Sequence, residues 1–498
     1  MQGEAPVAIE TDVIVVGSGF GGAMAAYAIV RAGLRVIMLE RGAWVTRGPH
    51  NWQDAGTVEA SPYYGSEPPY DVEKDGGRAS IGSIACVGGA SVFYGGVSLR
   101  LRARDFDGWP LSYADLEPWY GAAETILGVA GEEGRDPTEP YRGSAYPSAP
   151  ASLSPAAARL ADAATALGLR PFRLPLAIRY TSSDERPACA GCATCDTFAC
   201  AVEAKNDVAT RVLPSLIALG LVLRDETVAT KILTERGRAF GIEVFDKRAG
   251  ERSVLLAKNV VLAAGALATP HLLLASGLDR ACPAGAHVGR YLMRHCNGII
   301  YGFCATDPAS GAPSHKQVGI HDYYFELGSL QQLTSPPVGL VKPRTPKPLH
   351  GLVPSVTRRA MGLLAIAEDR PEHKNRVAID ERTLDRYGLP RLVIEHRYNP
   401  CEVENRAALL RRGREVLVRA GARVFKEHFI DTFSHAQGTV RMGDDPKTSP
   451  LDRYGRFRGV EGLWVSDASA FPLSGAVNPS LTIAANALRV GACVGAAR

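Results

Sequence analysis

Residues 12–40 read D-V-I-V-V-G-S-G-F-G-G-A-M-A-A-Y-A-I-V-R-A-G-L-R-V-I-M-L-E, and this stretch decides the fold. The run at 12–16 is short, apolar and β-branched, which suits a buried strand. Alanine-rich sequence at helical spacing follows, and the apolar run at 35–40 reads as a second strand, so the three pieces make a βαβ unit. Between strand and helix, Gly17, Gly19 and Gly22 stand in the G-x-G-x-x-G positions. The first glycine permits the tight turn, the second lets backbone approach a pyrophosphate, and the third lets the helix pack on the strand. The phosphates are then held at the helix N-terminus. Glu40 closes the second strand roughly 20 residues beyond Gly19, where an acid accepts a ribose hydroxyl. Arg41, next in the chain, joins it as a candidate cofactor contact. The motif predicts dinucleotide binding and leaves FAD, NAD and NADP open.

The chain has 498 residues, more than a single hydrophobic core supports, so two interleaved domains are expected. Hydrophobic residues at 46% and charged residues at 22% are the ordinary mixture of a soluble globular protein. The formal charge is +4 and no block of Lys and Arg occurs, which argues against nucleic acid or a lipid surface and for a small-molecule substrate. The N-terminal residues show no basic region followed by an apolar one, and no apolar run has the length of a membrane span; the cytoplasm is the expected compartment. Ten cysteines in a chain of this length, without a leader pattern, argue against a disulfide framework.

Further along, 47–75 is rich in Gly, Pro and Tyr without clear period and reads as a surface excursion. At 154–168 a helix is predicted, with Ser154 as N-cap, Pro155 at the first helical position and Gly168 near the end. Residues 258–264 read as another buried strand, where the dinucleotide fold resumes, with a turn and helix after it. The stretch 301–350 is irregular, with proline pairs, and suits a loop over a site or a linker. Residues 377–398 alternate apolar and polar around Tyr387-Gly388, the pattern of an antiparallel hairpin.

Five segments carry a family resemblance. They are the N-terminal fingerprint, the run from Gly265 through Thr269-Pro270 to Ser276-Gly277, H-A-Q-G-T-V-R-M-G at 435–443, W-V-S-D-A-S-A-F-P at 464–472, and N-P-S-L-T-I-A-A at 478–485. In this order they resemble the glucose–methanol–choline (GMC) oxidoreductases over about 11–495. The resemblance implies FAD rather than a nicotinamide. It also implies a discontinuous α/β Rossmann-like FAD-binding domain from 1–150, 200–290 and 431–498. An α+β substrate-binding domain built on an antiparallel sheet would span 291–430, with 151–199 as a helix and cysteine-rich loop. His435 matches the family's catalytic histidine, and Asn478 matches a second position that is His in some members and Asn in others. An imidazole suits removal of a hydroxyl proton as hydride leaves, and an amide can donate to the developing alkoxide. Asp467 resembles the acid beside the flavin phosphates or ribityl chain, although an aspartate there is also a natural helix N-cap; Ala468, Pro479 and Gly265 are placed at the cofactor with it. The segment 86–96, with Gly89 and Ser91, resembles the flavin-covering stretch of sugar-oxidising branches. Phe93 aligns where some pyranose-oxidising members attach the flavin through histidine, so noncovalent FAD is expected. Asp279 departs from the glycine usual in the family's second signature, with no consequence for catalysis.

Cys189, Cys192, Cys195 and Cys200 lie close enough in sequence to bind a metal or an iron–sulfur cluster, but the last interval is a residue longer than in ferredoxins and Ala201 replaces their proline. Some related dehydrogenases hold a cluster in a similar place; here disulfides or a structural thiol loop are the favoured expectation. His271, His287, His295 and His428 have no partner spacing and read as structural or surface residues. The expected reaction is oxidation of a carbinol in a sugar or sugar-like alcohol, an amino sugar of a secondary-metabolite pathway being one specific case. Alternatives are a sterol or long-chain alcohol oxidase, or the flavin subunit of an electron-transfer complex. Oxygen, a quinone or a protein would reoxidise the flavin.

Overall fold

The computed structural model describes residues 9–53, 56–74, 77–183, 186–312 and 316–497. The N-terminal residues 1–8, on which the leader reading partly rests, lie outside this set. The βαβ unit forms as the pattern predicts: strand Ile9–Val16, helix Phe20–Arg31 and strand Val36–Leu39. The strands pair in parallel, with Val13 opposite Val36 and Val16 opposite Leu39. Val13, Ile14 and Val15 are fully buried, which is why the run is continuously apolar instead of alternating.

Strand Glu251–Leu262 lies on the other side of Ile9–Val16, also parallel, with Val13 opposite Asn259. Strands Val222–Arg224 and Leu463–Val465 extend the parallel part, and Arg238–Asp246 and Thr227–Glu235 add an antiparallel edge, making seven strands. Helix Phe20–Arg31 packs on this sheet, and helix Ser480–Ala496 packs on Phe20–Arg31. The two helices approach so closely that a Cβ on Gly491 would lie 2.4 Å from the Ala25 carbonyl oxygen.

A second sheet has six strands in the order Ala422–Phe429, Cys296–Cys304, Ala360–Ala367, Ser329–Leu333, Val318–Ile320, Phe172–Arg173, each pair antiparallel. Helix Pro400–Arg419 packs on one face, with Gly298 and Gly302 set against Leu410 and Leu417. The helix predicted at 154–168 spans Pro155–Thr165, and Ser154 Oγ accepts from the Ala157 amide. Two strands of this sheet fall inside 301–350, which had read as irregular. Their buried residues include Gln331, Gln332 and Ser329, and polar side chains at buried positions hide the apolar alternation by which a strand is recognised.

The predicted hairpin is present as Arg376–Leu384 and Pro390–Glu395. It is joined in parallel by Tyr70–Lys74, which pairs in turn with Gly77–Ile81, so the end of the 47–75 excursion is built into a four-stranded sheet. Tyr70 and Asp71 are buried there.

Candidate active site

The turn after the first strand has room for a cofactor at one glycine only. Gly17 adopts φ +103°, and a Cβ there would lie 2.4 Å from the Ala263 carbonyl oxygen. A Cβ on Gly22 would lie 1.8 Å from the Gly17 carbonyl oxygen. At Gly19 the same atom would meet nothing nearer than 3.9 Å. Gly19 is also the N-cap of Phe20–Arg31 and supplies no side chain to cap it, so the first amides of the helix are left for an acceptor such as a phosphate. These features fit a dinucleotide pyrophosphate.

Around this turn the candidate cofactor residues hold one another in place. Glu40 is buried, and burial pushes its carboxyl above the usual carboxylate range. Its Oε2 accepts from Ser18 Oγ at 2.6 Å and its Oε1 from the Gly42 amide at 2.9 Å. Arg41 turns to Ser83 Oγ at 3.0 Å and to the Tyr70 ring. The Gly88 amide donates to Ser18 Oγ at 2.9 Å, and Ser91 Oγ donates to the Gly88 carbonyl at 2.7 Å, seating the 86–96 segment over the glycine turn. A Cβ added at Gly89 would lie 3.4 Å from Gly19 Cα, and Phe93 is buried. Asp467 is the N-cap of Ala468–Ala470: its Oδ1 accepts from the Ser469 amide at 2.8 Å. Its Oδ2 accepts from the Gly265 amide at 2.8 Å and from Thr269 Oγ1 at 2.5 Å. Ala468 continues the joint, its carbonyl accepting from the Gly438 amide at 3.0 Å, which ties 435–443 to the strand end.

His435 lies in the loop after Ala422–Phe429. Met293 and Gln437 exchange backbone hydrogen bonds at 2.9 and 2.8 Å, which aligns 293–295 with 435–437. This alignment sets His295 Nδ1 2.9 Å from His435 Nδ1 with the rings near perpendicular. His295 is 1% exposed, and its Nε2 lies 3.3 Å from the Ser474 carbonyl oxygen. Burial, followed by His295 and the cation of Lys316, holds the His435 imidazole well below its ordinary pKa, so the ring is neutral at neutral pH. Lys316 is itself buried and pairs with Asp196 at 3.7 Å.

Asn478 stands one residue before Pro479, the N-cap of Ser480–Ala496. Its Oδ1 accepts from Gln331 Nε2 at 2.7 Å, and Gln331, fully buried, belongs to the six-stranded sheet. Sequence reasoning therefore missed His295, Gln331 and Lys316. His295 had been read with the structural histidines because the residue that explains it is far away in the chain. The other three have separate surroundings: His271 bonds the Pro390 carbonyl, His287 stacks on Tyr291, and His428 is exposed on a strand.

The four-cysteine loop packs beside the 86–96 segment. Lys205 Nζ donates to the carbonyls of Tyr94, Cys195 and Phe198 at 2.7–2.8 Å, and Asp196 lies against Gly95. All four thiols are free, and burial pushes those of Cys189 and Cys195 up. Among the described residues no group of three or more His, Cys, Asp or Glu is arranged to hold a metal ion, and no helix is long and apolar enough to cross a membrane. A cavity of about 1070 Å³ lined by Asp12, Lys258, Arg456 and Trp464 shares no residue with this site.

Comparison with known proteins agrees with this architecture. The chain is 32% identical over 513 residues to 6'''-hydroxyparomomycin C oxidase of Streptomyces lividus, covering 97% of this chain and 91% of that one. It is 31% identical over 514 residues to paromamine 6'-oxidase of Streptomyces fradiae, covering 96% and 90%. A formate oxidase of Aspergillus oryzae, in a variant made to examine FAD modification, superposes with TM-score 0.72 at 14% identity over 98% of this chain and 99% of the other. The N-terminal GMC oxidoreductase family model matches residues 11–297 and the C-terminal one residues 371–487. With both halves matched and relatives above 30% identity along nearly the whole chain, the chain belongs to the GMC oxidoreductases.

Proposed function

We propose that this protein oxidises a carbinol to a carbonyl in a sugar or sugar-like alcohol, with noncovalently bound FAD, and that an amino sugar is the specific substrate class. Gly17, Gly19, Gly22, Glu40, Gly89, Ser91, Gly265, Asp467, Ala468 and Pro479 form or support the cofactor cradle. When bound, FAD accepts the hydride of the carbinol carbon. His435, neutral because it is desolvated, takes the hydroxyl proton. Asn478 donates to the oxygen as charge develops on it.

The hydrogen bond from Gln331 to Asn478 carries this reading. It uses the Asn478 oxygen and leaves the Asn478 amide nitrogen without a partner among the described residues, while Gln331 keeps a buried, unpartnered carbonyl oxygen. The buried, unpartnered Gln331 oxygen and the free Asn478 amide beside it suit a substrate with several hydroxyl or amino groups; a sterol or alkanol would leave the Gln331 oxygen unpaired at a cost of about 1–3 kcal/mol. The relatives named for paromomycin-type aminoglycosides support the amino-sugar choice.

The experiment is anaerobic bleaching of the bound flavin by paromamine, D-glucose, 1,2-propanediol and cholesterol, followed by admission of air. Paromamine or glucose should bleach fastest. Bleaching by cholesterol alone would replace this reading with the apolar one. Recovery of the yellow colour in air identifies oxygen as acceptor, and its failure points to a quinone or protein.

A further inference from the structure

The two imidazoles at the site are not equivalent, and their surroundings determine which nitrogen carries each proton. A neutral imidazole has one N–H and one bare nitrogen. His295 Nε2 faces the Ser474 carbonyl oxygen at 3.3 Å, with the Gly475 backbone also bonding this ring, and carbonyl oxygens can only accept. His295 Nε2 is therefore the protonated nitrogen and its Nδ1 is bare. The Nδ1 of His435, 2.9 Å from that bare nitrogen, must then be the donor. Two further observations fit. Burial disfavours a cation on either ring, so a bond between two neutral rings is the stable arrangement. The Gln437 amide lies 3.4 Å from His295 Nε2 with its own oxygen buried and unpartnered, and turning that amide end over gives the oxygen a proton to accept from the same Nε2.

We infer that His295 is a positioning residue that, held by the Ser474 carbonyl, fixes His435 as the tautomer protonated at Nδ1, leaving Nε2 as the basic atom. The inference rests on the proposed role of His435 as base and assigns the atom through which it acts. In the proton step the substrate O–H bond breaks, the proton goes to His435 Nε2, and the Nδ1–H bond to His295 becomes charge-assisted and stronger. Without the bare nitrogen of His295, the buried Nδ1–H of His435 would lose its acceptor, and the ring would shift to the tautomer that cannot take a proton at Nε2.

The test uses oxidised, FAD-loaded enzyme labelled with ¹⁵N-histidine, the His435 resonances being those lost in His435→Ala. At neutral pH, Nδ1 of His435 should show the shift and attached proton of N–H and Nε2 the shift of a bare nitrogen; a proton on Nε2 overturns the inference. Two variants give a kinetic reading with the fastest-reducing alcohol of the panel above. His295→Phe should slow flavin reduction at least tenfold with FAD content and substrate affinity unchanged. His295→Asn, whose side-chain oxygen takes the place of ring Nδ1, should recover most of that loss. Reduction by His295→Phe at the wild-type rate, or equal slowness of both variants, overturns the inference. If the tautomer is as stated but His435→Ala reduces its flavin normally, the role of His435 as base is what fails, and the arrangement of the two rings stands.

Discussion

At His435 the decisive quantity is desolvation. The ring is kept neutral by burial first and by the nearby cation of Lys316. His435→Ala should retain its yellow flavin and lower the rate of anaerobic flavin reduction by roughly 10²–10⁴, the contribution of a positioned general base. A stopped-flow trace at the wild-type rate would remove His435 from the chemistry. The pH dependence follows from the same cause. A base acts when unprotonated, and the pKa of this one lies below the ordinary value of about 6.5. The reduction rate should therefore stay level as pH falls through that value and decline only at lower pH; a profile that halves at or above it would mean the ring is not desolvated. His435 and Asn478 were legible because each sits in a short motif whose residues are neighbours in the chain. His295 was not, since its meaning depends on the backbone pairing of Met293 with Gln437, a contact between distant segments. Gln331 was hidden by its strand, whose polar residues look like loop until the partner Asn478 is known.

Among the elements, the glycine turn separates two effects that the fingerprint merges. Gly22 is a glycine for the fold, because any Cβ there strikes the Gly17 carbonyl. Gly19 is a glycine for what it faces, because its Cβ would meet nothing closer than the Gly88 carbonyl oxygen at 3.9 Å. Gly22→Ala should accordingly lose stability by about 1–3 kcal/mol, as for other overpacked sites, visible as a lower melting temperature even in the apoprotein. Gly19→Leu should melt as the wild-type apoprotein does yet bind no FAD, checked by flavin absorbance after gel filtration. Stoichiometric flavin in Gly19→Leu would show that the pyrophosphate lies elsewhere. The βαβ unit, the 154–168 helix and the 377–398 hairpin were readable for one reason: each is local, with its period and its caps within a few residues. The strands at 70–81 and 318–333 depend on partners from other parts of the chain, and no local period announces them.

For the whole molecule, the noncovalent binding proposed from Phe93 has a direct test. Acid precipitation should release FAD into the supernatant and leave a colourless pellet; a yellow pellet would mean a covalent bond that Phe93 cannot provide. The bond between Gln331 and Asn478 also has a consequence at this scale. It joins the six-stranded sheet to the segment that leads into helix Ser480–Ala496, which packs on the helix of the βαβ unit, so the proposed reacting geometry belongs to neither sheet by itself. Displacement of about 1 Å between reacting groups can cost two orders of magnitude in rate. A chain whose two sheets are each formed but not yet seated against one another is therefore silent: turnover switches on with the last step of assembly, and the seam between the sheets acts as the enzyme's own quality check.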